Sequence, residues 1–308
     1  MKENLIRNSY LNSFNINDDN GLKNLIIINT KCLVDDKTQR YVYIDNNRLK
    51  DELRYYNFYA TKPCYDDMLN ILLPLILANT NIQKGEDEVV SLIQKYVKYF
   101  KKEDNLFEYI LGSVLYNTLI HTLLDNKSIE YGDLLQCLKE KIIVFSIELE
   151  KIYMIKFQMA RINTIQLIDS YIDLKIENYE DGKIIKNLLN IIYDIYIEER
   201  NVSNNGVLSI KKSILSILGE ETNLNIDNID FIEQMSYYII KIRNYNINKK
   251  TYNLSSDPRN LIKYNSGDTV SDAILNKINI ESKELRDNIL YIKIKSKSGE
   301  YDFKFRKA

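Results

Sequence analysis

The chain has 308 residues, an apolar fraction of 45%, a charged fraction of 28% and a formal net charge of −1. These values are typical of a globular protein and exclude a disordered chain or a protein that binds polyanions over its whole surface. No run reaches about 18 uninterrupted apolar residues and the first residues lack an apolar signal-peptide core, so we expect neither a membrane helix nor secretion.

The residue types point to an ordinary intracellular protein. There are 24 Tyr but no Trp, one His and three Pro, on a background rich in Ile, Asn and Lys, which indicates an AT-rich genome. The three cysteines, Cys32, Cys64 and Cys137, are far apart. Their spacing excludes a disulfide framework and a structural zinc site, and we expect a cytoplasmic protein.

The N-terminal part, residues 1–45, is predicted to carry a β-hairpin. Residues 1–20 are polar and form a leading segment. Leu25–Asn29 has the apolar texture of a short buried strand, which Lys31–Val34 continues. Arg40–Ile44 has the β-branched and aromatic residues of a second strand. The turn between them lies around Asp35–Thr38.

Residues 46–243 are predicted to form a helical body. Asp66 or Asp67 begins a helix toward Leu77, which Pro74 kinks or splits. The other helices, apart from the longest one, are Glu86–Phe100, Asn105–Leu124, Lys183–Glu199, Val207–Leu218 and Asp227–Ile242.

The segment Leu134–Ile176 has the strongest helical pattern of the chain. It contains no Pro and no Gly, and its apolar residues recur at steps of three and four. A helix that is apolar over more than half its circumference is usually covered by others. We therefore predict one long central helix around which the body packs.

In the C-terminal part the spacing of apolar residues changes from the helical pattern to the alternation typical of strands. Residues 244–266 are rich in Asn, Ser and Lys and are interpreted as a linker, followed by a small basic β module over 267–308. Asn288–Lys295 and Glu300–Arg306 alternate around Gly299, which predicts a hairpin. Asp268–Ile280 adds strands to it, or the hairpin pairs with the N-terminal strands.

The overall prediction is a mostly α fold: a multi-helix globular body around a long central helix, with short β-hairpins near the N-terminus and at the C-terminus. The charge is divided unevenly, because residues 241–308 carry 15 Lys and Arg against 8 Asp and Glu. Such a basic end indicates an anionic partner, or it complements the acidic remainder of the chain.

Several catalytic sites are excluded by their missing motifs. Neither a phosphate-binding Gly-rich loop nor GxGxxG nor GxSxG is present. His121, the only His, lies in an apolar helical run, which favours a structural role. No cofactor is expected.

Carboxylate pairs are the remaining route to catalysis, with magnesium as the metal that oxygen ligands favour. The candidate ligands are Asp66, Asp67 and Asp268. The fragments around them resemble the metal-binding motifs of ADP-ribosylglycohydrolases in order, but Tyr65 replaces the Thr of the first motif and the second motif lacks its second Asp. The alternative is that the Asp66–Asp67 pair caps a helix and Asp268 lies in a turn.

The basic C-terminal end provides a candidate nucleic-acid surface, because Lys and Arg alternate there with aromatic residues. The predicted contacts are Arg243, Lys249, Lys250, Tyr291, Lys293, Lys295, Lys297 and Arg306. Arg243 and Asn244 also resemble the RN-x-x-x-H motif of helical HEPN ribonucleases, with Asn248 in place of the His. The alternative is an amphipathic hairpin with solvated Lys outside and Ile292, Ile294, Phe303 and Phe305 inside.

Because no catalytic motif is complete, the sequence favours a non-enzymatic binding or adaptor protein whose helical body contacts a protein partner. A nucleic-acid-binding protein using its C-terminal module is the alternative. A magnesium-dependent hydrolase using paired Asp is the second alternative.

Overall fold

The computed structural model describes residues 2–16, 20–60, 68–176, 183–199, 204–220, 223–247, 252 and 256–306. The first half contains α1 (Lys2–Asn12), α2 (Asn20–Cys32), β1 (Leu33–Asp36), β2 (Tyr41–Ile44), α3 (Asn46–Tyr59), α4 (Leu73–Ala78), α5 (Ile82–Tyr99), α6 (Leu106–Asp125) and α7 (Tyr131–Val144). The second half contains α8 (Lys151–Ile172), α9 (Ile184–Tyr196), α10 (Asn205–Leu218), α11 (Ile229–Arg243), β3 (Thr269–Asp272), β4 (Asn276–Arg286), β5 (Ile289–Ser296) and β6 (Gly299–Arg306). The mostly α fold with a β-hairpin near the N-terminus and strands at the C-terminus is thereby confirmed.

The helix at the centre of the body is α6. Its apolar residues surround the helix, and 14 of its 20 residues are buried. It packs against α4, α5, α7, α8, α9 and α10. At Gly112 a Cβ atom would come within 2.9 Å of the Ile184 side chain, so this glycine allows α9 to approach closely.

The single long helix predicted over Leu134–Ile176 is wrong. The chain forms two helices, α7 and α8, and leaves helical geometry from Phe145 to Glu150. A continuous helix of that length would extend about 65 Å, which is too long for a compact domain of this size. No Pro or Gly marks the break, so local sequence does not reveal it.

The N-terminal hairpin is confirmed, but the strand predicted at Leu25–Asn29 is wrong. Those residues belong to α2, and the hairpin pairs β1 with β2 through Leu33 opposite Ile44. A short apolar run is compatible with a buried helix as well as a strand, which explains the error. The polar leading segment also contains α1, which buries Ile6 and Tyr10 against the body.

The C-terminal strands form one antiparallel sheet in the order β3-β4-β5-β6, separate from the N-terminal hairpin. Its inner face packs on α3 through aromatic rings. The ring centroids of Tyr59 and Tyr301 are 4.7 Å apart, and those of Phe58 and Phe305 are 5.0 Å apart. The turn between β4 and β5 has positive φ at Asp287 and Asn288, as a tight hairpin requires.

Candidate functional site

The predicted basic face on β5 is neutralised by neighbouring strands. The Lys293 ammonium lies 2.9 Å from a Glu300 carboxylate oxygen and 3.7 Å from one of Glu281. Lys295 lies 3.4 Å from the other Glu300 oxygen. Tyr291 carries no charge and lies opposite Lys304 of β6 in the strand register. The described residues 256–306 hold ten Lys and Arg and eight Asp and Glu, so the sheet is nearly neutral.

The other residues of the nucleic-acid prediction are not gathered on one surface. Arg243 lies in the helical body, where its guanidinium donates 2.6 Å hydrogen bonds to the carbonyls of Leu77 and Asn79. Lys297 follows β5 and donates to Gln234, whereas Arg306 is exposed at the end of β6. Lys249 and Lys250 lie outside the described residues.

The amphipathic alternative describes the sheet correctly. Ile292, Ile294 and Phe303 are fully buried and Phe305 nearly so. Nucleic-acid binding itself stays a prediction.

The magnesium hypothesis is only partly covered by the described residues, because Asp66 and Asp67 lie outside them. Asp268 lies in a turn, where its carboxylate accepts a 2.7 Å hydrogen bond from the Asn265 amide. Among the described residues, no three His, Cys, Asp or Glu side chains are grouped closely enough to hold a metal ion.

His121 is buried in α6, and its Nε2 atom has no hydrogen-bond partner within the described part of the chain. Burial first, and the charge of Arg243 second, lower the pKa of His121 to about 4. The imidazole is therefore neutral at physiological pH. Its surroundings are those of a structural residue in the core of the body.

The clearest surface feature is a set of exposed apolar side chains on α8. Of the fifteen large apolar side chains exposed in the described residues, eight lie between positions 143 and 162, so they form a cluster. Four of them, which we name the α8 stripe, are Ile152, Ile155, Met159 and Ile162. Their exposed fractions run from 52% to 73%, high for apolar residues grouped together.

The α8 stripe lies along one side of the helix. Its members follow steps of three, four and three residues, which is the spacing of the a and d positions in a coiled coil. Gln166 continues the same line one step further and is also exposed. The stripe therefore has the periodicity that pairs with another helix.

The opposite side of α8 anchors the helix to the body. Phe157 is buried between Phe107 and Phe145, with ring centroids at 5.7 and 6.2 Å. Further along, Tyr171 donates a hydrogen bond to the Asn190 side chain. Because α8 is fixed from behind, the stripe is presented to solvent in a defined orientation.

Within α8 the charged side chains beside the stripe are cationic, whereas Glu148 and Glu150 are exposed just before the helix. Lys151 and Lys156 flank it and are exposed, and Asn163 is its next polar neighbour. No Asp or Glu occurs in α8 before Asp169. Cations beside an apolar stripe can form opposite-charge pairs with acidic residues.

Sequence reasoning singled out this segment but placed its apolar residues in the core. The stripe and the buried set around Phe157 both recur at helical spacing, so periodicity alone does not tell which one faces the body. One available signal was the run Lys151–Ile168, which holds cations but no Asp or Glu and is unusual for a helix in the centre of an acidic body.

No helix in the described part of the chain combines the length and the apolar character needed to cross a bilayer. No protein-family model, curated protein or solved structure matches this chain.

Proposed function

We propose that this protein is a binding or adaptor protein, and that its α8 stripe binds an amphipathic helix of a protein partner. The observation that carries the proposal is the exposed coiled-coil spacing of Ile152, Ile155, Met159 and Ile162 on a helix anchored from its other side. An apolar surface of this kind is costly in water unless a partner covers it.

The apolar contacts supply the affinity. Full burial of an apolar side chain of this size contributes about 2 kcal/mol, and these four are now more than half exposed. Part of that free energy is offset by the loss of translational and rotational freedom on association. A helix of three or four turns that covers the stripe is therefore expected to bind no more tightly than the micromolar range, which corresponds to about −8 kcal/mol.

The lysines beside the stripe favour a partner helix with acidic flanking residues. Lys151 and Lys156 border the stripe, and neither has an ion-pair partner in the described part of the chain. A helix with Glu at its flanking positions would form opposite-charge pairs with them. A second copy of this chain would place its own Lys151 and Lys156 at the contact, so a Glu-flanked helix offers better charge complementarity than self-association does.

The test is a fluorescence anisotropy titration with a synthetic helical peptide that carries Leu at its a and d positions and Glu at its flanks. The wild-type protein is expected to bind it, and Met159→Glu to lose binding because a carboxylate would be buried among apolar groups. Leu285→Glu is the matched control, since Leu285 and Met159 have the same exposure of 60% and Leu285 lies on β4. Equal binding by the Met159→Glu variant and the wild type would refute the proposal.

A further inference from the structure

A cleft of about 440 Å³ lies between the helical body and one end of the C-terminal sheet. This volume falls in the range of small-molecule sites. Its walls come from α2, α3, α11, the turn before β4, the first residues of β4 and the turn after β5. The lining residues are Lys31, Arg48, Phe231, Gln234, Met235, Tyr238, Leu275, Asn276, Lys277, Lys297 and Ser298.

Four of those residues are cationic and none is anionic. On the body side, Lys31 and Arg48 share one carboxylate, that of Glu52, at 2.6 and 3.5 Å. On the sheet side, Lys277 and Lys297 have no ion pair in the described part of the chain. The cleft therefore has an excess of positive charge in a chain that is nearly neutral.

The two lysines on the sheet side lie at the same end of the sheet. Ile278 of β4 is paired with Ser296 of β5, and Lys277 and Lys297 are the residues directly outside that pair. Like charges at one end of a sheet repel each other and tend to destabilise it. The Lys297 turn is nevertheless held against α11, because the Asn228 side chain donates a 3.1 Å hydrogen bond to its carbonyl.

Apolar side chains line the same cleft. Phe231 and Leu275 are buried, and Met235 lies beside them on α11. Tyr238 donates its hydroxyl hydrogen to the Leu33 carbonyl at 2.9 Å, which fixes the ring in place. Gln234 and Ser298 add polar groups at the wall.

We propose that this cleft binds a small organic phosphate monoester, with the phosphate between Lys277 and Lys297 and the apolar or aromatic body against Phe231, Met235 and Leu275. A dianionic phosphate neutralises both lysines at once, and the Arg48 guanidinium offers further donors on the opposite wall. The site is separate from α8 and does not depend on the function proposed for the stripe.

The test uses isothermal titration calorimetry of the full chain at low salt with adenosine monophosphate and phenyl phosphate as probes. Adenosine, phenol and inorganic phosphate serve as the separate halves of these probes. We expect at least one phosphate monoester to bind more tightly than either half. Lys277→Gln and Lys297→Gln should each weaken binding roughly tenfold, because each removes a charge-assisted hydrogen bond.

Lys304→Gln is the matched control, because Lys304 is exposed on β6 of the same sheet but outside the cleft. It should bind as the wild type does. Thermal unfolding separates binding from folding: removal of one of two neighbouring cations should leave the melting temperature of Lys277→Gln at or above that of the wild type. The proposal is overturned if neither monoester binds, if inorganic phosphate binds as well as both monoesters, or if Lys277→Gln retains wild-type affinity.

Discussion

Phe157 and Met159 are two residues apart in α8, yet their side chains have opposite surroundings. Phe157 is 1% exposed and Met159 is 60% exposed. Phe157→Ala should lower the free energy of unfolding by about 3–5 kcal/mol, as truncation of a buried aromatic residue does. Met159→Ala should change it by less than about 0.5 kcal/mol, as at most surface positions.

Urea denaturation of both variants measures this difference. If Met159→Ala lowered the free energy of unfolding as much as Phe157→Ala does, the stripe would be covered by the protein's own chain in solution. A loss confined to Phe157→Ala agrees with a stripe that is open to a partner.

His121 makes the stability of the protein depend on pH. Its pKa in the folded protein is about 4, below its usual value of 6.5, so the unfolded chain binds the proton more readily. This contribution to stability is complete above about pH 6.5 and is lost as the pH falls toward 4, by about 3 kcal/mol in all. His121→Gln should remove that part of the pH dependence.

The measurement is the free energy of unfolding of both proteins at a series of pH values between 4 and 7. Because His121 is the only His of the chain, the difference between the two curves isolates its titration. Parallel curves would contradict the buried, neutral imidazole.

At the scale of the elements, Arg243 joins two helices. It ends α11 and donates to the Leu77 carbonyl of α4 and to the Asn79 carbonyl just after α4, from a site that is only 8% exposed. Arg243→Ala should cost about 3 kcal/mol, because two buried carbonyls lose charged donors. Lys241→Ala, at an exposed position of α11, is the control and should cost less than about 0.5 kcal/mol.

Thermal or chemical unfolding of the two variants checks this prediction. If Arg243→Ala were as stable as the wild type and weakened nucleic-acid binding instead, the sequence-based role of Arg243 would be supported. The buried hydrogen bonds favour the structural role.

The helices with one clear apolar face could be predicted from the sequence, as could the C-terminal strands with their alternating pattern. α10 shows why: a regular apolar pattern precedes Gly219, which has a positive φ of 101° and ends the helix. The break after Val144 could not be predicted, because no Pro or Gly marks it. The contacts of Phe157 with Phe107 and Phe145 on either side of the break are tertiary, and local sequence does not reveal them.

The α8 stripe could not be recognised as a surface feature, because helical periodicity does not show which side of a helix is buried. The apolar residues of α8 were identified, but burial depends on which side meets the body, and that is a tertiary property. The cleft could not be predicted either, because its four cationic residues are far apart in the sequence and only the tertiary fold brings them together. They are Lys31, Arg48, Lys277 and Lys297. Periodicity carries no information about contacts over such sequence distances.

At the scale of the whole molecule, the two proposed sites use different parts of the fold. α8 packs on α6, α7 and α9, whereas the cleft lies where α2, α3 and α11 meet the sheet. The sheet is fixed to α3 by the Tyr55 hydroxyl, which lies 2.7 Å from the Asp272 carboxylate and 2.6 Å from the Ser256 hydroxyl. A helical partner and a small anion can therefore be tested separately.

The central claim is that the α8 stripe pairs with an acidic-flanked helix. Its most direct test is a competition titration of two peptides with identical apolar positions, one flanked by Glu and the other by Lys, against the wild type and a Lys151→Glu, Lys156→Glu variant. The wild type should prefer the Glu-flanked peptide and the variant the Lys-flanked one, because the sign of the flanking charges is reversed. Failure of both peptides to bind, or an unchanged preference in the variant, would contradict the claim.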